Sequence, residues 1–511
     1  MKNKILVITI SLINFCSFSQ NIEFTLSQTE HKDTKNFKFA DSQAFYTSDF
    51  YEYQTTSFYL SKYSSIDLKN IYATKINMPK INNKETKSLE LLLIENDLVL
   101  FSTLFDKKTN KFILYATKIN ADGILSIESK VVSEIDAYKK SYGYFIVRLT
   151  ESKKTIIINT EKPSNETDSV RYNWKIIDKN CNILRDKSLS LPYYGNESWP
   201  VKLMEYKYDK IYFLATNLKK LPVKDQIKAP IENKLYCYDL KNEKITDYPL
   251  SIETRSLFDL HINFNTENQV ILTGLYSYSD INEKCVFYDN DRPDLRRGAG
   301  ALCEILNENL ELNLYKNYID FPKKKTDFTP IFLKDIYLQD DGSIILISEF
   351  KYNVGSFTTI TFGSNSGSSD RHFGDILINT FDPLSKAHYV NRVSKDQIQR
   401  LEGILSSYVS ISNGKKIELF VSDTDDKKLT KNINTNSEFY INNSKSYKHS
   451  KTLLLEIDNK GNMKENTDVK ELINREFLMM CDYKISLNQN EIIFSYENNS
   501  GQKFGKMLYK K

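Results

Sequence analysis

The chain has 511 residues, 40% hydrophobic and 27% charged, enough apolar material for a folded core and too much for wholesale disorder. Its 70 basic and 66 acidic residues are interspersed and leave a net charge of +4, so the basic stripe of a nucleic-acid binder is missing. Tyr and Phe number 33 and 29 against only 16 Gly and 11 Pro, which favours strands and leaves the turns to Asn, Asp, Ser and Lys.

The N-terminus reads as a targeting segment. Lys2 and Lys4 precede an apolar stretch over 5–15, the length of a signal-peptide core and too short to span a bilayer. Ser17 and Ser19 place cleavage between Ser19 and Gln20. The expectation is a signal peptide over 1–19 and one secreted or periplasmic domain over 20–511. Cys16 suggests a lipoprotein as the alternative, but bulky Phe15 stands where a lipobox has a small residue. No later stretch is apolar and long enough for a transmembrane helix.

Two interleaved series of turns then run along the chain. In the first, an apolar strand enters a short polar turn and another leaves it, around Ser42, Asn96, Ser152, Asp209, Glu267, Asp341, Asn413 and Gln489. In the second, a strand of alternating polarity ends in an Asx- or Gly-containing turn, starting near Ser64, Asn120, Asp178, Asp239, Asn307, Asp382 and Asp458. The cadence repeats at intervals of roughly 55–75 residues, as in a repeat architecture. It predicts an all-β propeller of seven or eight four-stranded blades.

Counting the turns also predicts how the ring closes. The last unit has strands near 477–487, 491–497 and 503–509, then ends one strand short. Residues 21–26 form a strand candidate with no partner. Pairing 21–26 against 503–509 closes the ring and removes both orphan edges. A seven-bladed ring with a stray N-terminal hairpin is the alternative. The later repeats are longer, and the excess sits over 277–301, 355–370 and 423–448, where binding residues are expected.

From residue 331 onward the chain resembles a family of secreted Bacteroidetes proteins of unknown function with propeller-like repeats. The resemblance is carried by Leu338-Gln339-Asp340-Asp341-Gly342-Ser343-Ile344-Ile345-Leu346, Phe373-Gly374-Asp375-Ile376-Leu377-Ile378, Val393-Ser394-Lys395-Asp396-Gln397 and Lys503-Phe504-Gly505-Lys506. It implies secretion and a repeat-built β-fold, and brings no catalytic residues with it.

Candidate chemistry is sparse. Gly363-Ser364-Asn365-Ser366-Gly367 has Asn365 where a nucleophile elbow needs serine. The acidic clusters Asp289, Asp291, Asp294 and Asp423, Asp425, Asp426 offer hard oxygens for a cation but lack an EF-hand pattern. Arg292, Arg296 and Arg297, with Arg371 and His372 at the end of the Gly/Ser loop, are candidates for binding an anionic group. His261, inside an apolar strand, reads as a core residue. Five cysteines follow the signal; Cys285 and Cys303 are the closest pair and the candidate disulfide. No cofactor motif is present. The expected function is a non-catalytic scaffold binding a protein or glycan of the cell envelope. The rival is a glycan- or peptide-processing enzyme with carboxylates at the propeller mouth.

Overall fold

The computed structural model describes residues 22–26, 37–50, 56–136, 144–150, 152–161, 169–194, 197–198, 201–219, 232–250, 257–277, 298–321, 331–355, 369–399, 407–424, 440–442, 450–465, 478–488, 490–498 and 501–509. Among them every regular element is a β-strand; eight four- or five-stranded sheets follow one another along the chain, and a two-stranded ribbon, Lys80–Ile81 with Lys84–Glu85, lies between the first two in sequence. Each of the eight contains a blade of four antiparallel strands, given innermost first; Glu197–Ser198 adds a short fifth strand to blade 4, and Tyr440–Asn442 adds a parallel fifth strand to blade 6. Blade 1 runs Phe37–Ala40, Ala44–Ser48, Ser57–Ser64, Asn70–Asn77; blade 2 Lys87–Ile94, Asp97–Asp106, Lys111–Ile119, Leu125–Asp136. Blade 3 runs Tyr144–Leu149, Ile156–Glu161, Ser169–Ile177, Ile183–Tyr194; blade 4 Val201–Lys207, Lys210–Lys219, Glu232–Asp239, Lys244–Leu250. Blade 5 runs Leu257–Phe264, Val270–Ser277, Gly298–Leu306, Asn313–Asp320; blade 6 Ile331–Leu338, Ile344–Gly355, Ser369–Phe381, His388–Gln399. Blade 7 runs Tyr408–Ser412, Lys416–Thr424, Ser450–Asp458, Met463–Glu465; blade 8 Leu478–Asn488, Glu491–Asn498, Gly501–Tyr509 and, from the other end of the chain, Ile22–Leu26. The protein is an eight-bladed β-propeller.

The middle strands are apolar on both faces because each blade is sandwiched between two others. Successive side chains point to opposite sides of a sheet. In Asp97–Asp106, Leu98 and Leu100 enter the core shared with blade 1, while Val99 and Phe101 enter the core shared with blade 3. Ile156 and Ile158 face blade 2, and Ile157 between them faces blade 4. Eight such cores join consecutive blades, and the eighth joins blade 8 to blade 1.

The expected seam is present. Ile22–Leu26 pairs antiparallel with Gly501–Tyr509, from Ile22 opposite Tyr509 to Leu26 opposite Gly505. Across the closing interface Phe45 stacks on Tyr63 at 5.0 Å, and Phe504 meets both rings edge-on at 5.1 and 4.9 Å.

Antiparallel order puts both turn series on one face of the ring and every other connection on the opposite face. The turns share a device. Asn120, Asp178, Asn265, Asn307 and Asp458 each accept two backbone N–H groups, at 2.8–3.2 Å, from residues two to five places on. Three places after each stands a residue with positive φ: Gly123, Cys181, Asn268, Leu310 and Gly461. Neighbouring turns are also bonded to each other, Glu95 N to Lys153 O at 3.3 Å and Asp340 N to Gly414 O at 2.6 Å. Gly414 has φ +86, and a Cβ there would lie 2.4 Å from Asp340 Oδ1, so this approach requires glycine.

Closure by the N-terminal strand has a measurable consequence. A chain lacking residues 1–26 exposes the edge of Gly501–Tyr509. It is expected to melt several degrees lower, and a synthetic peptide of residues 20–26 should restore the melting temperature in proportion to its concentration. A melting temperature unchanged by the deletion contradicts the seam.

Candidate functional site

The innermost strands are irregular at one end. In six blades the register shifts near the start of this strand: between Phe37 and Phe39, Ser88 and Glu90, Val201 and Leu203, Phe258 and His261, Leu333 and Asp335, and Met480 and Lys484. Each shift lies toward the face opposite the tight turns, the face from which the long connections leave. Bulges re-aim side chains, and they gather at rims and sites. In blade 5 the shift puts Asp259 at φ +46, and Asp259 Oδ2 accepts the N–H of Leu333 in blade 6 at 3.2 Å. His261 beside it is half-buried, not enclosed in the core as the sequence suggested; burial lowers its pKa against the pull of Asp259.

Two polar groupings lie at this end. In blade 3 the Tyr144 hydroxyl donates to the Glu161 carboxyl. Burial pushes Glu161 up to about 7, although the tyrosine bond works the other way. Between blades 6 and 7, Glu349 is fully buried and accepts from Lys395, also fully buried, from Lys334 at 3.3 Å and from the Ser407 hydroxyl at 2.5 Å. Burial alone would raise the Glu349 pKa; Lys395 and then Lys334 outweigh it and hold it down at about 2. Ser407 has φ +87 and also accepts from Lys334 at 2.5 Å. Asp335, Tyr337 and Ser410 continue the network along the innermost strands, with Ser410 Oγ 2.7 Å from Asp335 and 2.8 Å from the Tyr337 hydroxyl.

The opposite face carries a polar cavity of about 310 Å³ between blades 4 and 5, lined by Lys210, Cys237, Asp239, Lys244, Glu308 and Glu311 among others. Lys210 is bonded to Asn309 at 2.8 Å and Glu308 at 3.3 Å, and Lys244 to Glu311 at 2.9 Å. Burial raises the Cys237 thiol to about 12, which removes it as a nucleophile at neutral pH.

Most of the sequence candidates lie elsewhere. Asp289, Asp291, Asp294, Arg292, Arg296, Arg297 and Cys285 fall within 278–297, and Asp425 and Asp426 within 425–439, outside the described residues. Asp423 belongs to a strand, its backbone opposite Lys451. Arg371 and His372 are not at a loop end: the strand Ser369–Phe381 begins before them, and they pair with Asn353 and Tyr352 on one side and Gln399 and Ile398 on the other. The disulfide is corrected: Cys303 is a free thiol, wholly enclosed in the core between blades 5 and 6. No group of three or more His, Cys, Asp or Glu that could hold a metal ion occurs among the described residues. Sequence reasoning missed Glu161, Glu349 and Lys395. The available signal was a charge inside, or ending, an otherwise apolar strand.

No family model and no curated protein matches the chain. Solved structures do. The WD40 domain of SCAP from fission yeast is similar over 96% of this chain and 95% of its own, at 10% identity and a TM-score of 0.39. An ulvan lyase of a new polysaccharide lyase family, PL25, bound to -[GlcA(1-4)Rha3S]-, is similar over 78% and 90%, at 8% identity and 0.42. The β-propeller domain of the Trilobed protease from Pyrococcus furiosus is similar over 83% and 93%, at 10% and 0.29.

Two measurements check the electrostatics. Lys395→Met leaves Glu349 in the interior with only Lys334 and Ser407, and should cost about 3 kcal/mol in urea unfolding. Adding Glu349→Gln to it should restore most of that loss. Glu161 titrates higher in the folded chain than its ordinary 4.5, so its contribution to stability is full below about pH 4.5 and is lost as pH rises through about 7. Glu161→Gln should therefore flatten the fall in stability between pH 5 and pH 8.

Proposed function

We propose that the protein is a secreted or envelope-associated binding scaffold that engages a protein or glycan partner through the face bearing the long connections. One observation carries this reading: the innermost-strand bulges lie at the same end of the ring as the strand ends Ser277 and Gly298, Gly355 and Ser369, and Thr424 and Ser450. The other end is tied down turn by turn. Recognition residues concentrate on loops held by a rigid scaffold, and this division leaves one end free to vary. The mature chain, beginning at Gln20, acts outside the cytoplasm in this reading.

Binding of the mature chain to isolated envelope fractions and to their solubilised glycans tests it. Replacing 279–296 or 357–367 with a short Gly-Ser link should weaken binding at least tenfold while the circular dichroism and melting temperature stay unchanged. Lys153→Glu and Lys460→Glu, exposed on the opposite face, should leave binding intact. Loss of binding in those two, with full binding in the shortened chains, would reverse the assignment of faces.

The Tyr144–Glu161 pair favours a second reading. A half-buried carboxyl titrating near neutrality at the mouth is suited to general acid–base chemistry on a glycan or peptide. Under that reading Glu161→Gln abolishes turnover of an envelope polymer without weakening its binding.

A further inference from the structure

The face of blade 3 that packs on blade 4 carries a column of polar groups running inward from the mouth. Strand register arranges them in rows. Tyr144, Glu161 and Tyr172 form the first row; Ile146, Asn159 and Trp174 form the second, one step deeper. Asn159 is 0% exposed, and neither its amide nitrogen nor its amide oxygen has a hydrogen-bond partner. Trp174 beside it is 1% exposed, with its indole N–H likewise unpartnered. The core around them is apolar, contributed by Ile157, Met204, Ile211, Phe213 and Ala215. Above them the Tyr144 hydroxyl and the Glu161 carboxyl are half-buried and bonded to each other.

Buried polar groups are almost always paired, with protein, water or a ligand. Three unpaired atoms on adjacent residues of one face point to a shared partner. Its chemistry follows from theirs. Trp174 Nε1 and Asn159 Nδ2 are donors and Asn159 Oδ1 is an acceptor. An anion would satisfy the donors but not the acceptor, and would face the Glu161 carboxyl. A cation would find one neutral oxygen. A hydroxyl both accepts and donates.

We propose that hydroxyl oxygens occupy this column, entering past Tyr144 and Glu161, accepting from Trp174 and Asn159 and donating to Asn159 Oδ1. Water and the hydroxyls of a sugar or polyol share this chemistry, and both fit a polar site of this kind. The site does not depend on which face binds the partner proposed above.

The test uses the mature chain crystallised without any sugar, and thermal melts of Asn159→Leu and Trp174→Phe. A high-resolution map should show ordered oxygen within hydrogen-bond distance of Asn159 and Trp174. Both variants should melt a few degrees lower, because each removes a satisfied group. Trp174→Phe keeps an aromatic side chain while removing the indole N–H, and serves where Asn159→Leu fails to fold. In a Trp199→Phe background, Trp174 emission should lie to the red in the parent and shift blue in Asn159→Leu. A monosaccharide panel separates the sources: a rise in melting temperature that Asn159→Leu abolishes identifies a sugar. No rise, with oxygen in the map, identifies water. A dry interface in the map, with both variants as stable as the parent or more so, overturns the proposal.

Discussion

Packing of one sheet's face on the next is the interaction on which the rest of this structure depends. The middle strands carry apolar side chains on both faces, as Ile156, Ile157 and Ile158 do in three consecutive positions, so no blade can satisfy itself with one neighbour. A stack of such sheets would always leave two end faces in water. A ring leaves none, provided the last blade is complete. The chain achieves this by lending its first strand to its last blade, and Phe45, Tyr63 and Phe504 fill the joint.

The ring divides its two ends between different tasks. At one end every blade is finished by short turns whose Asn or Asp side chains hold the backbone, and adjacent turns bond to each other. Those bonds suit a face that keeps its shape. At the other end the innermost strands bulge and the long connections depart. The bulges displace side chains such as Asp259 from regular alternation, so the wall of the mouth differs from blade to blade.

Polar groups inside the interfaces also differ in how they are resolved. The Glu349 network is heavily charged but closed: two lysines and a serine hydroxyl surround one carboxylate, and the low pKa of Glu349 reflects their attraction winning over burial. Removing one partner from such a network is costly because the remaining charge stays buried. The column in blade 3 is uncharged in its second row and open in its bonding, which is why it directs attention to a ligand.

Much of the fold was legible in the sequence because turns and alternation are local. The Asx-led turns at Asn120, Asp178 and Asp458 announced the strands around them, and counting them exposed the missing strand and its spare partner. Little of the site was legible. Arg371 and His372 looked like loop residues because a strand with few apolar side chains reads as a loop until its partners, Asn353 and Gln399, are in place. Cys285 and Cys303 are near in sequence, but what surrounds a thiol is decided by the core it enters, and Cys303 is enclosed in that of blades 5 and 6. The sequence by itself determined the all-β repeat and the strand that closes the ring, since both follow from period and count. Only the tertiary structure decided which buried groups meet: Glu349 is 46 residues from Lys395 and 58 from Ser407, and Tyr144 is 17 from Glu161. Those distances along the chain vanish only when the strands pair and the blades pack.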